Sequence, residues 1–203
     1  GALLLAATAH AVGISGDVGV TALATDAPML VDEPVTRVPI YQTLNLKAGD
    51  LGDDRLSFEG SFRSWYDVYG DASDESDFRV LRSFVRWNDR DARLDARLGR
   101  QFVSEGVGRT YLDGAFVRKG FGRDHETSVF VGQPIIGINS PITESNGAAQ
   151  WGWHYRYRGV RNMNVGISYT ELNHDGDTAL RLIGTDAIYR RTMRETIRLR
   201  LDV

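Results

Sequence analysis

Apolar and polar positions alternate along residues 92–119, ARLDARLGRQFVSEGVGRTYLDGAFVRK. Ala92, Leu94, Ala96 and Leu98 fall on one side of the alternation, and Arg93, Asp95, Arg97 and Gln101 on the other. A period of two, with charge on one face and apolar groups on the other, marks a half-buried β-strand. The pattern recurs. Over 55–69, Leu56, Phe58, Gly60, Phe62, Ser64, Tyr66 and Val68 oppose Arg55, Ser57, Glu59, Ser61, Arg63, Trp65 and Asp67. Over 149–159, Trp151, Trp153, Tyr155 and Tyr157 oppose Gln150, Gly152, His154, Arg156 and Arg158. Over 163–172, Met163, Val165, Ile167 and Tyr169 oppose Asn164, Gly166, Ser168 and Thr170.

Further strands are predicted over 13–25, 38–47, 78–87, 109–120, 127–133, 178–190 and 196–203, with a bulge at Gly184 where the apolar phase slips. Together these make roughly eleven strands and no helix. Many run to the length of about 9–11 residues that a tilted strand needs to cross a bilayer, longer than the 5–6 usual in soluble sheets. The connections at 26–37, 70–77, 104–108, 134–148 and 173–177 are longer on average and richer in acid and proline. Those at 48–54, 88–91, 122–126, 160–162 and 191–195 are shorter, although 104–108 and 48–54 depart from this rule. Such asymmetry is expected of a barrel with long outer loops and short periplasmic turns. Aromatics gather at strand ends: Trp65, Tyr66, Trp151 and Trp153 at one end, Trp87, Phe121 and Tyr189 at the other. That is the arrangement of interfacial girdles. The predicted fold is therefore an all-β, antiparallel up-and-down transmembrane β-barrel, truncated, with about eleven strands present.

Composition is compatible with this reading. The chain has 203 residues, 42% hydrophobic and 25% charged, with a net charge of -3. No basic tract stands out, which argues against nucleic acid as a partner. Cysteine is absent, excluding disulfides, thiol catalysis and cysteine metal sites. Residues 1–11, GALLLAATAHA, combine an apolar run with the small-x-small form of Ala9-His10-Ala11, as in the remnant of a secretory signal peptide. Residues 12–203 would then be the N-terminal part of the barrel, in a chain cut at both ends.

The polar face carries the functional expectation. Arg63, Arg82, Arg86, Arg93, Asp95, Arg97, Arg156, Arg158, Arg181, Arg198 and Arg200 are the candidate pore-lining residues. Inward arginine favours anions in a pore. The competing reading pairs these arginines with Glu59, Asp67, Asp95 and Asp202, so that they only fill the lumen. Catalytic motifs are missing: there is no GxSxG elbow, HExxH or P-loop. His125 and His174 fall in turns and His154 on a strand, none with a partner at ligand spacing. The run 173–177, NHDGD, reads as an Asx/Gly turn rather than a calcium loop. Neither an enzyme, a cofactor nor a metal is expected.

The phrase ARLGRQ over 96–101, followed by a glycine-containing loop and a second strand, resembles Gram-negative porins and alginate-export-like outer-membrane barrels. The segment 184–190, GTDAIYR, is similar to strand ends of such porins. The resemblance implies an outer-membrane barrel that lets solutes diffuse. Its partners would be outer-membrane lipid and small-molecule solutes, with a homo-oligomer left open. Two alternatives stand beside it: a non-conducting structural or adhesive barrel, and a secreted soluble β-protein binding carbohydrate through Trp151 and Trp153.

Overall fold

The computed structural model describes residues 13–22, 25–27, 35–37, 39–67, 76–135, 147–190 and 196–202. Residues 1–11, with the signal-like motif, lie outside them. So do parts of the predicted connections at 26–37, 70–77, 134–148 and 191–195. The strands are β1 (Gly13–Ala22), β2 (Thr25–Ala27), β3 (Val35–Arg37), β4 (Pro39–Gly49), β5 (Leu56–Asp67), β6 (Ser76–Asp89) and β7 (Leu94–Glu105). There follow β8 (Gly108–Phe121), β9 (His125–Pro134), β10 (Ala148–Val160), β11 (Met163–His174), β12 (Asp177–Arg190) and β13 (Thr196–Asp202). Among the described residues there is no helix.

Eleven strands form one antiparallel sheet in the order β1-β4-β5-β6-β7-β8-β9-β10-β11-β12-β13. Each long strand pairs with its neighbours in sequence, the meander expected from strands separated by short turns. The sheet is not closed: β1 and β13 are its two edges. Two short strands border the predicted loop over 26–37, β2 paired antiparallel to β3. The run at 173–177 is a tight hairpin turn. Asp175 (φ 51) and Gly176 (φ 91) occupy its two central positions between the paired His174 and Asp177. Both positions need a positive φ, which the Asp-Gly pair supplies.

Period-two alternation sorts the side chains onto two faces. One face carries Val18, Leu44, Val85, Leu98, Val117, Val131, Trp151 and Ile183, all exposed, Leu98 at 67% and Val18 at 73%. The other carries the buried residues, including Ser61, Phe84, Asp95, Gln101, Glu105, Phe116, Phe130, His154 and Ser168. A single sheet can bury one of its faces only by curling toward it, so this second face is concave. The stagger of the strands agrees with a curled wall. One row of directly paired residues runs Ile14, Ala48, Phe58, Val85, Leu98, Ala115, Val131, Trp151, Glu171, Arg181. It starts beside the lower end of β1 and finishes near the upper end of β12, so the strands are tilted against the sheet's rims.

Bare backbone crosses β7, β8 and β9. Gly99, Gly114 and Gly132 are paired in one row across these strands. A Cβ on Gly132 would lie 2.5 Å from the Asp113 carbonyl oxygen and 2.8 Å from Leu112 Cδ1. Only bare backbone allows so close an approach. Leu112 folds over the row and joins Val103, Phe116 and Phe130 in an apolar cluster, each at most 2% exposed. Above this row the wall opens. The β6–β7 pairing ends at Ser83↔Arg100, and the β8–β9 pairing begins at Leu112↔Pro134. Residues 101–105 therefore pair with β8 alone, and residues 108–110 with β7 alone. The tip of the β7–β8 hairpin leaves the wall and turns onto the concave face. The connection at 104–108, predicted as an outer loop, thus folds inward.

A candidate ionic site on the concave face

The hairpin tip meets the opposite part of the sheet through polar groups. Glu105 ends β7, and its alternation phase is that of Asp95 and Gln101, so its carboxylate points inward. His154 lies on β10 in phase with Arg156 and is 2% exposed. Its Nδ1 stands 3.1 Å from Glu105 Oε2, and its Nε2 stands 3.2 Å from Oδ1 of Asp186 on β12. Arg118 on β8 pairs with the other oxygen of Glu105, and Arg156 Nη2 approaches Oε2 at 3.8 Å. Arg156 and Arg158 also share Glu126 on β9, with contacts of 3.0 and 3.1 Å. The Val107 amide donates to Ser168 Oγ on β11 at 3.0 Å, while that hydroxyl donates to the Gly184 carbonyl at 3.3 Å. Gly106 (φ 53) makes the turn, and a Cβ there would overlap Ser168. The L side chains disfavour that φ and the space is already filled, so glycine is required twice over.

A second cluster lies lower on the same face. Asp95 accepts from Arg86 Nε at 2.7 Å and from Arg97 Nη2 at 2.6 Å. One carboxylate thus serves two arginines. The Arg97 guanidinium lies 4.9 Å from the Phe116 ring centre, and that of Arg118 lies 5.2 Å from it. Cations on an aromatic face add to the cohesion of this layer. Lys47 rather than an arginine is the partner of Glu59, at 3.9 Å.

The remaining predicted residues are distributed as follows. Arg63 and Arg82 stand on the concave face of β5 and β6, with no carboxylate against them among the described side chains; Arg82 borders a cavity of about 350 Å³ with Asp17, Asn45, Lys47 and Glu59. Arg93 sits in the turn before β7 (φ 51) and reaches over Gly120 at the lower rim. Arg198 and Arg200 pair in register with Ile188 and Asp186. Their side chains, with those of Asp67 and Asp202, are outside the described residues.

Two assignments need correction. Arg181 is expected to point inward, past a bulge at Gly184. Pairing runs unbroken through Gly184↔Ser168, and the register shift lies instead at Leu172/Asn173. Arg181 therefore keeps the phase of Ile183 and Tyr189 on the convex face, where it bonds Glu171 at 3.1 Å. Trp65, expected in the outer girdle, shares the concave face with Arg63. It lies 6.5 Å from the paired Tyr41 ring. Tyr66, Trp151 and Trp153 stand on the convex face toward the upper ends of β5 and β10. Trp87 and Tyr189 stand on that face toward the lower ends of β6 and β12.

Glu105, Arg118, Glu126, His154, Ser168 and Asp186 are functional candidates that motif reading passes over. Alternation assigns His154 and Ser168 to the polar face, while Glu105 and Glu126 fall in predicted connections; nothing in the local sequence says that the six meet. No family model matches the chain, and no curated protein matches it.

Proposed function

We propose that the chain is part of the wall of a porin-like outer-membrane β-barrel, through whose ionic lumen small polar or anionic solutes diffuse. The observation that carries this reading is the sorting of side chains over eleven strands onto an exposed apolar convex face and an ionic concave one. That polarity is the reverse of a soluble β-domain, which hides its apolar face, and suits a barrel in lipid. Most of the long strands have 10–14 residues, enough to cross a bilayer at barrel tilt. Convex aromatics near both strand ends would lie at the two interfaces. No chemistry is needed: passage depends on charge and bore. The concave wall of β5 and β6, with Arg63 and Arg82, offers cationic surface to an anion.

A second reading, a non-conducting barrel, is favoured by one observation. Between β7 and β12 the concave face is packed by Phe116, Phe130, Leu112 and the His154 cluster. Planar-bilayer recording of the full-length protein under a salt gradient separates the two. Unitary conductance with an anion-leaning reversal potential supports the pore; silent, correctly inserted protein rejects it. Fractionation tests the compartment, since protein in the soluble fraction would reject both barrels.

A further inference from the structure

We infer that His154 is a proton-dependent clasp that holds the β7–β8 hairpin tip inside the barrel. The consequence for solute flow rests on the channel reading above; the clasp itself does not. The hairpin tip has left both neighbouring strands, so its position depends on what it touches across the concave face. The polar contacts are Glu105 to His154, Glu105 to Arg156, and the Val107 amide to Ser168; below them Val103 and Gly108 pack against Phe130. His154 ties the tip to the wall because its other nitrogen faces Asp186.

An imidazolium donates from both nitrogens, and a neutral ring from one only. Both carboxylates are therefore served only by the protonated ring. The charged groups around it decide which contact is lost when the proton leaves. Glu105 of β7 keeps Arg118 of β8 and Arg156 of β10 as partners, and Glu126 of β9 bears on Arg156 from behind. Asp186 of β12 has no other partner among the described side chains. Ser168 of β11 is committed to the Val107 amide and the Gly184 carbonyl. The single remaining proton thus goes to the nitrogen facing Asp186. A lone pair then confronts Glu105 in a site shielded from water, where an unfavourable contact is felt most. The tip then keeps only its Arg156, Ser168 and apolar contacts and opens more often from the concave face, widening the bore.

The 203 residues hold no cysteine, so one thiol introduced among them, with any cysteine outside them replaced by serine, is a clean reporter. Val107→Cys places it on the tip, at a position 7% exposed; Arg123→Cys places it on the exposed lower turn as a reference. Maleimide labelling of each is followed in the full-length protein reconstituted in lipid vesicles. The ratio of the two rates should rise about tenfold as the medium is taken from acid to alkaline. With His154→Gln the ratio should be high and flat. A flat ratio in the parent, or a step that survives His154→Gln, overturns the clasp. Should His154→Gln fail to insert, Glu105→Gln serves: its ratio should also be flat, and a surviving step again overturns the proposal. A labelling step without conductance refutes the channel and leaves the clasp standing.

Discussion

The close approach of β8 and β9 can be tested with one methyl group. In Gly132→Ala the new Cβ would lie 2.5 Å from the Asp113 carbonyl oxygen, 2.8 Å from Gly114 Cα and 2.8 Å from Leu112 Cδ1. Against an optimum of roughly 3.5 Å these contacts are short by about 0.7 to 1 Å. Two of the three atoms are backbone, so relief requires the strands to part. Overpacking of this kind destabilises by about 1–3 kcal/mol. Gly19→Ala is the control: a Cβ there meets nothing within 4 Å. That change should be neutral or stabilise by a few tenths to about 1 kcal/mol, because glycine weakens a strand interior. The assay is urea unfolding of vesicle-folded protein, followed by tryptophan fluorescence. If Gly132→Ala unfolds within about 0.5 kcal/mol of the parent, the size of an ordinary surface change, the glycine row is not what lets the sheet curl.

Other substitutions read the charges. Asp95→Asn leaves Arg86 and Arg97 without their shared carboxylate. Both arginines keep some contact with solvent, so the expected loss is about 1–3 kcal/mol in the same unfolding assay, with a reversal potential shifted toward anions. Arg82→Glu replaces a concave cation that no described carboxylate touches; it should move the reversal potential toward cations while the urea midpoint changes little. In the turn before β5, the Arg55 amide donates to Asp53 at 2.8 Å and holds that carboxyl below its usual range. A depressed value means that the contact is intact above the ordinary carboxylate range and is lost as pH falls through the lowered one. The Arg55 amide resonance should therefore titrate with a midpoint below that range; a midpoint at the ordinary aspartate value would contradict the contact.

Much of the wall is legible locally. Asp95 and Arg97 fall on one face, and Leu98 and Trp151 on the other, as their alternation predicts. Arg181 shows where alternation misleads. Leu180 and Leu182 stand on the concave face of β12, so the apolar phase there marks the inside. Reading apolar as outward then inverts the strand. Trp65 fails for a related reason: an aromatic at a strand end suits an interface, but it equally suits an inner wall beside Tyr41.

Local pattern alone is enough for the eleven long strands and for most of their faces. Pleating has a period of two residues and hydrogen-bonded meanders need only short turns, so both are written within a few positions of each other. It could not determine that Glu105, His154 and Asp186 meet. Their contacts span 49 and 32 residues, across intervening strands. They depend on the sum of twist, stagger and the close approach at Gly99, Gly114 and Gly132, and that sum exists only once the whole sheet has curled.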